Sequence, residues 1–140
     1  MENILWKPKN CEKTQMMEFL NRINDLYSLK MKSYKELHQW SIQNIPEFWQ
    51  EIWNCSNVIY SKKYTEIVEN LHKMPGAEWF PGSRINFAEN LLRYKDDRIA
   101  IHFQSENYCE KKITYRELYD KVESLAYSLQ SIGVKEGDRI

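Results

Sequence analysis

Apolar positions at three- and four-residue steps dominate the first two thirds of the chain and forecast helices. Met16, Phe19, Leu20, Ile23, Leu26 and Tyr27 share one face of a helix that Thr14 would cap. Ser33-Tyr34-Lys35-Glu36 is a capping box, with the Ser33 hydroxyl taking one orphan N–H and Glu36 reaching back. Leu37 and Trp40 then face one side. Pro46 suits the first turn of a third helix, where a missing N–H costs nothing, and Phe48, Trp49, Ile52 and Trp53 make that helix heavily aromatic. Tyr64, Ile67, Val68 and Leu71 forecast a fourth short helix that ends before Met74-Pro75-Gly76. Trp79 and Phe80 run into a Pro81-Gly82 turn, and a capped helix with Asn86, Glu89 and Asn90 follows.

The period changes near Lys95-Asp96-Asp97. Ile99-Ala100-Ile101-His102-Phe103 reads as a strand, Gln104 to Cys109 as a turn, and Glu110 to Ile113 as a returning strand. Thr114-Tyr115-Arg116-Glu117 is a second capping box. It opens the strongest helix, with Leu118, Val122, Leu125, Ala126 and Leu129 on one face and a Glu117–Lys121 pair at i,i+4. Gly133 supplies a left-handed stop, Lys135 to Asp138 a tight turn, and Arg139-Ile140 the start of another strand. A one-sided helix that turns into a strand begins a crossover onto a sheet that these residues do not contain. The expected fold class is therefore α/β, with a helical extension over 1–95 and an incomplete sheet-bearing domain over 96–140, a fragment of a longer protein.

Composition adds bounds. The chain of 140 residues carries 20 basic and 20 acidic side chains, so its charge gives no argument for nucleic acid or an anionic membrane. Nine Tyr and five Trp point to large plugs at element junctions. No apolar run approaches the roughly 18 residues that span a bilayer, and Met1 to Trp6 has no basic region before an apolar core. Cys11, Cys55 and Cys109 are odd in number and far apart, which forecasts reduced thiols in a cytoplasmic protein.

Candidate chemistry is sparse. Trp79 and Phe80 could meet a ligand such as a nucleobase, but an aromatic plug wedging the helical extension against the domain that follows is the simpler reading. Gly82-Ser83-Arg84 before a helix could hold an anion, although a cap and a solvated Arg suffice. His38, His72 and His102 stand singly, without metal-ligand spacing. Glu117 reads as a cap and not a general acid. Trp40, Trp49 and Trp53 could form a partner surface; burial between helices is the plainer expectation.

Two segments carry a resemblance. Ile113 to Leu118, followed by Gly133-Val134-Lys135-Glu136-Gly137-Asp138-Arg139-Ile140, resembles the first shared motif of the adenylate-forming ligases. Trp6-Lys7-Pro8, Thr14-Gln15-Met16 with Phe19, Tyr34 to Ile42, Phe48-Trp49, Trp53 and above all Glu78 to Arg93 resemble the N-terminal extension of the acetoacetyl-CoA synthetase family. Acetyl- and propionyl-CoA synthetases usually carry Asn-Cys-x-Asp where this chain has Glu89-Asn90-Leu91-Leu92. Ile85 and Phe87 depart from a common Leu and Tyr.

The resemblance implies an AMP-forming acid–thiol ligase as the parent enzyme, with ATP, Mg2+ and coenzyme A as its cofactors and acetoacetate as its acid. It places the phosphate loop, the ribose-binding Asp, the hinge and the catalytic Lys beyond Ile140. The four glycines, Gly76, Gly82, Gly133 and Gly137, make no phosphate cradle. Hence no catalytic, cofactor-binding or metal residue is assigned here, no cofactor is expected on these residues alone, and the fragment is expected to be inactive. Its expected partners are those small molecules and the rest of the ligase chain, with no nucleic acid and no membrane. Self-association of the exposed helix face is a further expectation. The alternatives are a non-catalytic helical interaction module, or another short-chain acyl-CoA synthetase of acetyl or propionyl type.

Overall fold

The computed structural model describes residues 10–106 and 109–139. Trp6-Lys7-Pro8 and Ile140 lie outside the described residues, as do two positions of the turn after Gln104. The chain forms two compact units that meet between Arg84 and Ile85 in sequence.

The first unit opens with a 3-10 turn, Cys11–Lys13, and three helices: α1 (Gln15–Tyr27), α2 (Tyr34–Gln43) and α3 (Ile45–Cys55). The starts of α1 and α2 are legible in their caps. Thr14 accepts from the Met17 N–H, and Ser33 and Glu36 close a reciprocal capping box. Asn44 ends α2 by donating its backbone and side-chain N–H groups to the Trp40 carbonyl, and Pro46 follows in the first turn of α3.

Leu20, Ile23 and Leu37 form the buried core, and Met17, Phe19, Tyr27, Leu29, Met31 and Trp40 pack around it. The buried stripe of α1 is thus narrower than its periodicity suggests. Met16 sits in the first turn beside an open groove, and Leu26 lies at the edge of the face, so both are exposed. Asn24 pins the α1–α2 connection by accepting from the Met31 N–H at 2.9 Å and donating to its carbonyl at 2.8 Å.

Among the described residues, one charge is buried in this unit. Glu51 on α3 is 7% exposed. Arg22 on α1 donates to Glu51 Oε2 through Nε at 3.1 Å and Nη2 at 3.0 Å, while Asn54 donates to Oε1 at 3.3 Å. Burial of the Tyr27 hydroxyl, together with the nearby Glu51 and Glu47 carboxylates, raises the Tyr27 pKa.

Residues 64–71 are not the expected helix. Val68–Glu69 (β1) pairs antiparallel with Glu78–Trp79 (β2), with Val68 opposite Trp79, and an isolated bridge joins Lys62 to Arg84. Residues 58–84 therefore form a strap folded back on itself. Asn57 and Asn70 take left-handed backbone angles, φ 48° and 53°, which Asn tolerates and a helix interior does not.

The second unit holds a short helix α4 (Phe87–Leu91), a hairpin of β3 (Ile99–Gln104) and β4 (Glu110–Thr114), and α5 (Tyr115–Ser131). The hairpin register sets His102 opposite Lys112 and Gln104 opposite Glu110, with a bulge between Ile99 and Ile101. The end of α5 is a Schellman motif: Gly133, at φ 92°, donates to the Gln130 carbonyl and Val134 to the Leu129 carbonyl. Asp138 closes the following turn by accepting from the Lys135 N–H. Arg139 is not in a strand. Mixed helices with small antiparallel sheets match the fold class forecast from the sequence.

Two predictions follow from these contacts. Arg22→Ala strands a buried carboxylate and should cost about 1–3 kcal/mol in urea unfolding, below the ~3–5 of a fully buried pair because Arg22 is 46% exposed. Arg22→Ala/Glu51→Ala should recover part of that loss; a double mutant less stable than Arg22→Ala alone refutes the account. In the α2 box, the Glu36 pKa is lowered by the Lys32 N–H bond and then by the Ser33 hydroxyl. A depressed carboxylate stabilises above its unfolded pKa, and that stabilisation is lost as pH falls through the lowered value. An NMR titration of the Lys32 and Ser33 amides should report an inflection below that of an ordinary glutamate.

Candidate functional site

The chemistry-bearing side chains of the first unit converge on α3. Trp53, buried, is the hub. Its ring centroid lies 4.6 Å from Phe80, 5.1 Å from Tyr64 and 5.8 Å from Tyr60, and Tyr64 meets Phe80 at 5.3 Å. One turn earlier, Trp49 meets Trp79 at a tilt at 5.3 Å and Phe48 edge-on at 5.6 Å, and Phe48 meets Phe19 of α1 edge-on at 5.9 Å. The rings thus run continuously from α1 across α3 into the strap.

Trp79 and Phe80 meet the Trp49 and Trp53 rings of α3, inside the first unit. Trp40, Trp49 and Trp53 do not form one cluster. Trp40 packs on Tyr27 at 5.1 Å, while the other two carry the strap. Trp49 and Trp79 remain partly open to solvent.

Beside these rings, an open groove of about 930 Å³ lies among α1, α2 and α3. Met16, Phe19, Leu37, Phe48 and Ile52 supply apolar lining, and His38 and Ser41 are among its polar groups. Sequence periodicity did not reveal this groove, because it arises from how three separate helices diverge.

The helix starts offer little to an anion. Ser83 donates its N–H and its hydroxyl to the Phe80 carbonyl, and the Arg84 N–H donates to Lys62, so Gly82-Ser83-Arg84 is a turn and a bridge. The α5 start is filled from within the chain. The Tyr115 N–H donates to the Arg98 carbonyl, Arg116 to the Asp96 carbonyl, Glu117 to the Thr114 hydroxyl, and Thr114 to the Glu117 carboxylate at 2.8 Å. Glu117 is a cap, as its position implies. Around this start, the Arg116 Nε bonds Asp97 at 3.1 Å, the Lys95 ammonium sits 3.6 Å from the Tyr119 ring centroid, and the Arg98 guanidinium lies 5.7 Å from that of Tyr115.

His38 flanks the groove, stacked near Tyr34, and His72 is exposed. His102 has a partner that sequence spacing did not reveal. Its Nε2 shares a 2.7 Å hydrogen bond with Glu110 across the hairpin, and Lys112 bonds the same carboxylate. The Lys112 bond, followed by that of His102, lowers the Glu110 pKa. Hairpin register, unavailable from spacing alone, makes this triad. Among the described residues, no group of three or more His, Cys, Asp and Glu side chains is placed to hold a metal ion. Nor, among those residues, is any helix long and apolar enough to cross a membrane.

Comparison with known proteins gives these elements a context. A family model described as acetyl-coenzyme A synthetase N-terminus matches residues 34–91. The chain is 40% identical to acetoacetyl-CoA synthetase of Xenopus tropicalis over 140 residues, which is 98% of this chain and 21% of that protein. It is 37% identical to the Mus musculus protein of the same name, again over 98% of this chain and 21% of the relative. A malonamoyl-CoA synthetase of Penicillium aethiopicum is 34% identical, over 99% of this chain and 20% of its own. The solved acetoacetyl-CoA synthetase from Streptomyces lividans superposes with a TM-score of 0.83 at 29% identity, over 96% of this chain and 21% of that one. The chain therefore spans about a fifth of the length of these relatives. By sequence and by fold together, the chain is similar to a part, about a fifth, of acetoacetyl-CoA synthetases, and its residues 34–91 match the acetyl-coenzyme A synthetase N-terminus.

Proposed function

We propose that these residues are the N-terminal scaffold of a cytoplasmic, ATP-dependent, AMP-forming acetoacetate–CoA ligase. The observation that carries this reading is the near-complete superposition on acetoacetyl-CoA synthetase from Streptomyces lividans, with a TM-score of 0.83. In the reaction assigned to the whole enzyme, the acetoacetate carboxylate attacks the α-phosphate of MgATP and pyrophosphate leaves. The coenzyme A thiol then attacks the acyl carbon, and AMP leaves with the bonding pair. A carboxylate is a poor acyl donor, and AMP supplies the competent leaving group. Such steps depend on positioning and on cations set where charge develops.

The scaffold's contribution is to hold shape. We assign no catalytic, nucleotide-binding or metal residue to it. The α5 start spends its N–H groups on Asp96, Arg98 and the Thr114–Glu117 box, which leaves them unsuited to cradling phosphate. ATP, Mg2+ and coenzyme A are accordingly assigned to the rest of the enzyme, as is the pocket that selects the acid. The malonamoyl-CoA synthetase relative makes the choice of acid the finer part of the proposal.

A second reading, a non-catalytic interaction module, is favoured by one observation. The α5 face is open, with Leu125 60% exposed and Val122 at 36%, and Ile99, Ile101 and Phe103 of the hairpin are exposed as well. A partner surface of this kind would be present in the chain by itself.

Acid-dependent ATP–pyrophosphate exchange separates these readings. The 140 residues alone should give none. A product extended by the coding sequence past Ile140 should give exchange with acetoacetate well above that with acetate, propionate or malonamate. An extension without a Thr/Ser/Gly-rich loop followed by Lys, or without exchange on any acid, defeats the ligase reading. Light scattering supplies a second check. Open apolar faces should make the isolated chain self-associate as concentration rises, and a clean monomer with cooperative unfolding counts against it.

A further inference from the structure

The groove among α1, α2 and α3 offers mainly apolar area. Phe19, Phe48 and Ile52 are half-buried where they line it, and Met16 is 46% exposed. Three of its polar side chains are already bonded within the chain. Arg22 and Asn54 are held by Glu51, and the Ser41 hydroxyl donates to the His38 carbonyl. These groups are spent for orienting a small polar ligand, whereas a strip of apolar side chains would gain by covering the rings and methyls.

The first nine residues, Met1-Glu2-Asn3-Ile4-Leu5-Trp6-Lys7-Pro8-Lys9, supply such a strip in Ile4, Leu5 and Trp6. Pro8 lacks an N–H and disposes Lys7 to extended backbone, the form that lies along a groove. Charge agrees as well. Lys7 and Lys9 follow the apolar triplet, and Glu18, an exposed carboxylate, is among the lining residues.

Reach and attachment favour this segment over a separate partner. The Thr14 N–H and hydroxyl both donate to the Cys11 carbonyl, which folds Cys11–Lys13 against the start of α1. Gln15 and Met16 come next and line the groove, so residues 1–9 join the fold beside it. Extended backbone covers up to about 3.3–3.6 Å per residue, so the stretch from Asn10 back to Ile4 spans roughly 20 Å. The part of α1 that lines the groove, Gln15 to Arg22, is only about 10 Å long. A tether this short holds its segment at an effective concentration of about millimolar order, which a free partner lacks.

We propose that the groove is the seat of the chain's own N-terminal segment, with Ile4, Leu5 and Trp6 laid against Met16, Phe19, Phe48 and Ile52. Seating covers Met16, which the apolar stripe of α1 otherwise leaves exposed. The seat stands on the groove and the segment whether or not the ligase reading holds.

NMR on the full 140-residue chain with labelled methionine and isoleucine methyls tests it. Ring protons of Trp6 should give NOEs to the Met16 and Ile52 methyls. Trp6→Ala should abolish those NOEs and shift both methyls, while the Ile23 methyl, in the buried core, keeps its position and reports retained folding. The wild-type NOEs are read independently of that variant. Mixing methyl-labelled chains that carry deuterated tryptophan with unlabelled chains identifies the occupant. The NOEs should vanish in that mixture, because each Trp6 serves its own chain. Their persistence there means that a second copy fills the groove, and overturns the proposal. So does a Trp6 ring without contact to the groove methyls, or a folded Trp6→Ala chain in which those methyls do not move.

Discussion

Trp53 is the residue on which the first unit depends. It stands on α3, whose other buried position, Glu51, ties that helix to α1 through Arg22. Its ring takes Tyr60, Tyr64 and Phe80 from a segment that has almost no regular structure. Two-residue strands such as β1 and β2 are not stable alone. They persist because large rings, each carrying a sizeable apolar area, find one helix face on which to bury it. The same dependence runs back through Trp49 and Phe48 to Phe19, so the strap and the helical core are one network of rings.

The second unit is organised by saturation of a helix end. Four N–H groups at the start of a helix lack intrahelical partners. At α5, the loop before β3 supplies two carbonyls, and Thr114 and Glu117 satisfy each other. Loop 96–98 is therefore bonded to the first turn of α5 at the point where β4 hands over to it. The Lys95–Tyr119 and Arg98–Tyr115 contacts add charge over aromatic faces. A helix start consumed in this way is a structural joint, because its N–H groups are already bonded within the chain.

Local rules were readable from the sequence, and tertiary ones were not. Both capping boxes, the Thr14 cap, Pro46, the β3–β4 hairpin and the Gly133 stop depend on residues within a few positions of one another. Residues 64–71 show the opposite case. Tyr64, Ile67, Val68 and Leu71 have perfect helical spacing, yet Tyr64 is drawn to Trp53 and Val68 pairs with Trp79. No cap opens that stretch and Asn70 turns left-handed, so long-range ring burial outweighed a weak periodic signal. His102 and Glu110 become neighbours only through a hairpin register with a bulge in it. The groove among α1, α2 and α3 is likewise a property of packing and not of any one segment.

Glu78 to Arg93 is where the family resemblance was sharpest, and the structure explains why a stretch without catalytic chemistry should be so distinctive. Glu78 and Trp79 must be extended to pair with β1, with Trp79 on Trp49. Phe80 must be aromatic for Trp53 despite its left-handed backbone. Pro81 and Gly82 then occupy the second and third positions of a turn closed by Ser83, and Gly82, at φ 75°, takes the left-handed angle that the third position requires. Arg84 bridges to Lys62, and two residues later Asn86 accepts from the Glu89 N–H to start α4. Successive residues thus answer to different constraints: ladder, ring, turn, bridge and cap. A segment satisfying that many incompatible local demands has few acceptable sequences. It labels a fold strongly because it is a joint, whatever chemistry the rest of the protein performs.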